Sequence, residues 1–332
     1  MRLTALEVDG CYTYDSEGPA RVVVCSTGPS RTLLTDPTLV GPAYIDLVAQ
    51  AAAESVSKAA EVDRRLETAL AGDGHDVLVI LRGGLTFALD RALARRGATP
   101  TVSFIGTDRG PEGETGLCYL RPEALGGLMA FGDIVATGKT VSLALRTIRE
   151  WGRPRHLLIV TMAAASGVAA IQRALAESHP ETAATIVVLE AVFQLPGTGL
   201  PGLPQHHFDF LRTGYAPTLE FERARLSKLD SLFEKCAIYD GGMRAFSPSA
   251  HLALRRTWWA GLAEDKLVTL EQLAAHVGGL GDYLLPYEEW RVRAPVEADE
   301  GGLREMHRLG RAAAEFARET SLDQYVTGLE PS

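Results

Sequence analysis

Residues 131–140 read FGDIVATGKT, and the apolar residues Leu128, Met129 and Ala130 run into them. A continuous apolar run ending in a Gly-Lys-Thr turn predicts a strand that feeds a helix through an anion-binding loop. Backbone N–H groups converging at a helix N-terminus hold an anion with little help from side-chain charge. Gly138 permits a left-handed or crowded turn. The hydroxyls of Thr137 and Thr140 add short donors, and Val141, Leu143, Leu145 and Ile148 then recur at helical spacing. A plain strand-to-helix loop would explain a lone glycine; TGKT behind a continuous strand favours the anion loop.

The ATP/GTP-binding loop, Gly-x-x-x-x-Gly-Lys-Ser/Thr, is the first candidate. Its leading glycine falls on Asp133, and Gly132 lies one residue too early. A carboxylate there points negative charge at the phosphates, so a nucleoside-triphosphatase ranks last among the readings.

The 332 residues are 46% hydrophobic and 23% charged, a globular balance with room for one large or two modest domains. A net charge of −9 gives no global basic field for nucleic acid. Local basic clusters (Arg91, Arg95, Arg96; Arg153, Arg155) fall at helix-like positions and read as solvated faces. Cys11, Cys25, Cys118 and Cys236 are scattered, which argues against a disulfide framework or zinc site and for a reducing compartment. The N-terminus MRLTALEVDG carries acids where a signal sequence is apolar, and no run approaches membrane-spanning length. The expectation is a cytoplasmic protein without membrane or nucleic-acid partners.

Strand-like runs at 77–81 (VLVIL), 100–105 (PTVSFI), 128–131, 156–161 (HLLIVT) and 185–190 (TIVVLE) alternate with helix-like segments at 85–96, 140–151 and 168–178. That alternation predicts a parallel sheet covered on both faces. Residues 44–70 read as one long helix, and the first forty residues as an irregular or hairpin-bearing arm that includes RVVVC at 21–25. Residues 108–116 (DRGPEGETG) read as a long polar loop, either a functional lid or a plain surface loop. Beyond residue 216, charged helical segments at 220–236, 250–262, 270–277 and 302–320 predict a mostly helical extension. The expected division is an α/β domain over 1–217 and the extension over 218–332.

A second anion-ready turn follows the strand at 77–81, where Arg82-Gly83-Gly84 precedes a helix. Open α/β sheets bind ligands at the C-terminal edge of their strands, so two such turns suggest a ligand with two separated phosphate groups. LMAFGDIVATGKT resembles the phosphoribosyl-pyrophosphate (PRPP) signature of the type I phosphoribosyltransferases, departing at Gly132, where the signature has its first acid. The wider order is most similar to the uracil phosphoribosyltransferases: Leu81-Arg82-Gly83-Gly84-Leu85 for their Leu-Arg-Ala-Gly-Leu, Asp108-Arg109 for an Arg-Asp pair, MAAASGVAAIQRALAESHPE at 162–181, and Pro201-Gly202-Leu203-Pro204-Gln205 for their base loop. Arg31-Thr32-Leu33-Leu34-Thr35 echoes their N-terminal arm, and the resemblance spans roughly residues 30–215.

The resemblance implies a type I phosphoribosyltransferase fold, a PRPP donor, Mg²⁺ carried on that donor, a small-molecule acceptor and a homodimer. It places Ala136, Thr137, Gly138, Lys139 and Thr140 at the 5′-phosphate, Asp133 at the ribose hydroxyls and Arg82, Gly83 and Gly84 at the pyrophosphate. Arg109 would close over the leaving group or be a solvated loop charge. Gly202, Leu203, Gln205 and His206 would line the acceptor. Pro204 and the His206-His207 pair remodel the base loop, so uracil and a different acceptor both stay open; either imidazole would serve as general base or be part of a surface loop. A non-catalytic sensor of PRPP or a nucleotide is the alternative, favoured by the missing acid at Gly132.

Overall fold

A computed structural model of the chain describes residues 3–110, 113–120, 125–194, 212–229, 241–266, 268–275 and 279–328. The N-terminal arm forms a hairpin-bearing unit: β1 (Leu3–Ala5), β2 (Cys11–Tyr14) and β3 (Arg21–Cys25), then α1 (Gly28–Thr35). The long helical pattern that follows is two helices, α2 (Gly41–Val62) and α3 (Arg64–Ala71). Asp63 makes the break, because its carboxylate accepts from the backbone N–H of Arg65 at 3.0 Å and caps the second helix.

The apolar runs then become strands: β4 (His75–Leu81), β5 (Thr101–Gly110), β6 (Gly113–Leu120), β7 (Leu128–Val135), β8 (His156–Ala164), β9 (Ala183–Gln194) and β10 (Arg212–Pro217). Between them lie α4 (Leu89–Ala94), α5 (Lys139–Trp151) and α6 (Ala165–Ser178). Segment 85–96 is not one helix: a 3-10 turn over Gly83–Phe87 precedes α4, and Ala88 between them is left-handed at φ +44°. The described part of 108–116 is strand and not loop: 108–110 end β5 and 113–116 begin β6. Asp108 and Arg109 continue β5, which pairs antiparallel with β6 so that Arg109 stands opposite Glu114. The local hairpin pairing of β5 with β6 overrides the turn-rich composition there.

The strands form one sheet in the order β1-β2-β3-β9-β8-β7-β4-β5-β6, with β10 on β9. Strands β3, β9, β8, β7, β4 and β5 run parallel. From β4 the chain moves outward to β5, then crosses back to β7 on the other side, so a topological switch point lies between β4 and β7. Both faces are buried, which is why these strands read as unbroken apolar runs. One face packs Val77, Val79, Leu158 and Val187 against α2 residues such as Val48, Ala52 and Ala59. The other packs Leu78, Phe131, Ile159 and Ile186 with Leu145, Ile148 and Ile171 of α5 and α6. The expected α/β architecture, a parallel sheet flanked by helices and followed by a mostly helical region, is present.

That region contains α7 (Leu219–Leu226), α8 (Gly241–Phe246), α9 (Pro248–Asp265), α10 (Leu270–Leu273), α11 (Tyr287–Arg293), α12 (Glu300–Glu319) and α13 (Leu322–Gly328). Its apolar residues Trp259, Tyr283, Trp290 and Met306 join the core of the second sheet face. Leu3 forms a parallel bridge with Val296, so β1 is tied to the segment between α11 and α12. A buried ion pair sits in this seam: Arg225 donates to Glu222 through Nε at 3.0 Å and a second nitrogen at 2.7 Å, and Tyr283 Oη donates to the same carboxylate at 3.0 Å.

Candidate functional site

The C-terminal ends of β4 and β7 bring the two predicted turns together. After β4 the chain turns through Arg82-Gly83-Gly84, where Leu85 N–H donates to the Arg82 carbonyl at 3.2 Å and Thr86 Oγ1 to the Gly83 carbonyl at 2.8 Å. A β-carbon on Gly84 would stand 2.9 Å from the Gly132 carbonyl of β7, and one on Gly83 would stand 2.9 Å from Asp133 Oδ1. Only glycines allow the turn to approach β7 this closely. Arg82 is exposed beside them, whereas Gly83 and Asp133 are half-buried. The Asp133 carboxylate also accepts the Ile134 N–H at 2.9 Å.

Gly132 has a packing cause. A β-carbon there would lie 2.6 to 2.9 Å from Cγ, Cβ and Cδ1 of Phe87, which is fully buried under the 3-10 turn. An acidic side chain and the Phe87 ring cannot share that space, so one acid, Asp133, occupies the place where the resembled signature has a pair.

The loop after β7 carries the other anion-binding elements. Gly138 is left-handed at φ +80° and forms the N-cap of α5 without any side-chain cap, leaving the first-turn N–H groups of α5 uncovered by one. Thr137 and Thr140 are half-buried and Lys139 is exposed. The start of α6 braces this loop: Ser166 Oγ donates to the Ala136 carbonyl at 2.9 Å, and a β-carbon on Gly167 would meet the Val135 carbonyl at 2.6 Å and that of Ala136 at 3.0 Å. Gly138 in turn faces Ala170, whose Cβ would lie 2.5 Å from an added β-carbon. The bracing role of Ser166, Gly167 and Ala170 does not follow from the sequence pattern alone; its one cue is the row of small residues just after a strand.

The C-terminal region also reaches this edge. Gly241, which opens α8, packs so close that a β-carbon would meet Ile134 Cδ1 at 2.6 Å and Tyr44 Oη at 2.8 Å. Arg244 of α8 is fully buried; it donates to the carbonyls of Leu33, at 3.4 Å, Asp36, and Leu39, at 2.6 Å, and lies over the Tyr44 ring at 4.6 Å.

Glu190 is a second buried feature that sequence reasoning passes over inside an apolar strand. It occupies the bulge in β9 with φ +61° and is inaccessible to solvent. Its carboxylate accepts from Thr27 N–H at 2.9 Å, from Thr218 Oγ1 at 3.0 Å and from Ser30 Oγ, joining the N-caps of α1 and α7. Burial raises its pKa to about 7, against the opposing pull of those hydrogen bonds.

Of the predicted site residues, the structure gathers Arg82, Gly83, Gly84 and Asp133, with Ala136, Thr137, Gly138, Lys139 and Thr140 following on the same strand-to-helix connection. Arg109 is a strand residue of β5. Gly202, Leu203, Gln205 and His206 lie outside the described residues. No helix among the described residues is long and apolar enough to cross a membrane.

No protein-family model and no curated protein matches the chain. Among solved structures, the AQ2163 protein from Aquifex aeolicus is 19% identical with a TM-score of 0.40, covering 53% of this chain and 89% of its own. The hypoxanthine-guanine phosphoribosyl transferase of L. donovani is 21% identical with a TM-score of 0.31, covering 47% of this chain and 86% of its own. The purine phosphoribosyltransferase from Pyrococcus horikoshii is 15% identical with a TM-score of 0.27, covering 44% and 87%. These likenesses span about half of this chain and assign it no activity.

Proposed function

We propose that the chain is a PRPP-dependent phosphoribosyltransferase that passes ribose 5-phosphate to a small acceptor and releases pyrophosphate. The observation that carries this reading is the meeting of two anion-ready turns across the switch point, with Asp133 Oδ1 against Gly83. The α5 N-terminus and the Thr137 and Thr140 hydroxyls hold the 5′-phosphate. Asp133 receives the ribose hydroxyls, and Arg82 with the backbone of Gly83 and Gly84 holds the pyrophosphate. The acceptor's nucleophilic atom attacks C1′ as the bond from C1′ to the pyrophosphate oxygen breaks, and the acceptor loses a proton. Negative charge grows on the departing group beside Arg82, where a fixed donor is worth about 10²–10³ in rate. Arg109, one strand away on β5, contributes to the same end. The acceptor is held by Gly202, Leu203, Gln205 and His206, and the working unit is a homodimer.

Among the described residues no three His, Cys, Asp or Glu side chains cluster as a metal cage. Asp133 supplies a single carboxylate against Gly83, a donor set suited to a cation carried mainly on a ligand's phosphate oxygens. Mg²⁺ bound with the donor supplies charge neutralisation of the leaving pyrophosphate.

Uracil is the acceptor the sequence resemblance favours, whereas two of the solved structures named above are purine or hypoxanthine-guanine transferases. A pyrophosphate-release screen across pyrimidines, purines and small hydroxy or amino acceptors, run on wild type and Asp133→Asn, tests the proposal. Release that depends on an acceptor and collapses in the variant supports it; absence of both PRPP binding and pyrophosphate release sinks it. The displacement of an acid by Phe87 at Gly132 favours a second reading, a sensor that binds PRPP or a nucleotide without turnover. Calorimetric PRPP binding with no release against any acceptor decides for the sensor.

A further inference from the structure

The N-terminal edge of the parallel sheet, opposite the Gly83–Asp133 site, carries a pocket of about 310 Å³ lined by Arg21, Arg64, Arg65, Asp63, His156 and Thr185, among others. Arg21 opens β3, Arg64 and Arg65 open α3, and His156 opens β8. All three arginines are exposed, and none forms an ion pair or side-chain hydrogen bond among the described residues. Arg64 and Arg65 sit on the first turn of α3, whose N–H groups are already capped by the Asp63 carboxylate, so neither guanidinium is engaged at the helix end. On a chain of net charge −9 this is a local concentration of positive charge around a concavity.

The floor of the pocket is built rather than incidental. Thr185 Oγ1 donates to Asp63 Oδ2 at 2.7 Å, so its oxygen accepts the Nε2 proton of His156 at 3.0 Å. His156 is only 3% exposed, and its other nitrogen, Nδ1, has no hydrogen bond among the described residues. The Asp63 carboxylate is already engaged by Thr185 and by the α3 N–H groups. It therefore fixes the imidazole tautomer through Thr185 and leaves the three guanidinium groups to a ligand.

We propose that this pocket is a binding site for a compact polyphosphate anion, held by Arg21, Arg64 and Arg65 above the Nδ1 edge of His156. Guanidinium forks match phosphate oxygens in geometry and remain charged at all working pH values. The volume fits a small ligand and not a polypeptide segment. Nδ1 is the nitrogen left to take up a proton, so binding is linked to protonation of His156. Burial and the Arg65 charge hold that proton off in the free protein, Asp63 favours it, and Arg21 and Arg64 share the pocket. An added anion reverses the balance, and affinity rises as pH falls through the imidazole range.

Calorimetry with inorganic tripolyphosphate tests the site on the full chain. The combined Arg21→Ser, Arg64→Ser, Arg65→Ser variant should bind at least about 100-fold more weakly, since it removes three charge-assisted donors at once. Asp133→Asn should retain this binding event, and wild-type affinity should increase severalfold from about pH 8 to about pH 6. His156→Asn should flatten that pH dependence while the arginines keep the anion bound. Undiminished binding by the triple-serine variant, or loss of the event in Asp133→Asn instead, would overturn the proposal; so would a wild type that takes up no tripolyphosphate.

Discussion

A β-carbon on Gly83 would stand 2.9 Å from Oδ1 of Asp133, so the turn after β4 and the carboxylate of β7 are fitted to each other with no spare room. Gly83→Ala should therefore move either the carboxylate or the turn. A misplacement of about 1 Å at a positioned group costs about 10²-fold in rate. If the proposed transfer operates, pyrophosphate release should fall by that order while the melting temperature changes little, because Gly83 is only half-buried. Parallel release assays and thermal melts check both halves.

Gly132 makes a complementary prediction about stability. Even alanine there would press into Cβ and the ring of Phe87, and aspartate would add a carboxylate to a fully buried contact. Overpacking of this kind costs about 1–3 kcal/mol. Urea titrations of Gly132→Ala and Gly132→Asp should show losses in that range, larger for aspartate. Restoring the acid of the resembled signature should not raise turnover, since the space it needs is already filled.

Much of the site was legible because its signals are local. FGDIVATGKT carries its strand, turn and helix within a short span, and RGG after VLVIL does the same. The features missed depend on backbone pairing and capping that residue type alone does not announce. Residues 108–116 look like a loop until β6 supplies partners to β5. Asp63 looks like one charge within a helix until its carboxylate caps α3. The bulge that buries Glu190 is a mismatch of register between β8 and β9, and no run of residues in either strand announces it.

Glu190 should make stability fall as pH rises. Its carboxyl holds a proton up to about pH 7 in the folded chain, against 4.5 for the ordinary value. The folded state thus binds more protons between these values. The favourable contribution is complete below the unfolded pKa and is lost as pH climbs through the folded one. The span corresponds to roughly 3 kcal/mol at most, at 1.36 kcal/mol for each pKa unit. Urea midpoints measured across this range should decline in wild type and decline less in Glu190→Gln, which stays neutral throughout.

Arg244 anchors α8 through three backbone carbonyls, that of Leu33 in the last turn of α1 and those of Asp36 and Leu39 on the connection to α2. Arg244→Met keeps much of the apolar stem but leaves these acceptors without their donor. Each buried group stranded in this way costs about 1–3 kcal/mol. Urea denaturation should show a loss of about 3 kcal/mol or more, and hydrogen exchange should accelerate in α8 before the sheet core. An unchanged exchange rate in α8 would show that the helix is held by its apolar contacts alone.

The Glu222–Arg225 pair predicts an asymmetry between two substitutions. Both side chains are nearly inaccessible, and Tyr283 Oη donates to the same carboxylate. Glu222→Gln leaves the Arg225 guanidinium buried without its counter-charge, and removing one partner of a buried pair costs about 3–5 kcal/mol. Replacing both together, Glu222→Leu with Arg225→Met, removes the uncompensated charge and should recover much of that loss. Tyr283 would then keep its ring packed against Trp290, at 5.1 Å between centroids, and lose only its hydroxyl partner. A double-mutant cycle in urea should therefore show a coupling energy of several kcal/mol. Simple additivity would mean that water already reaches the pair and screens it.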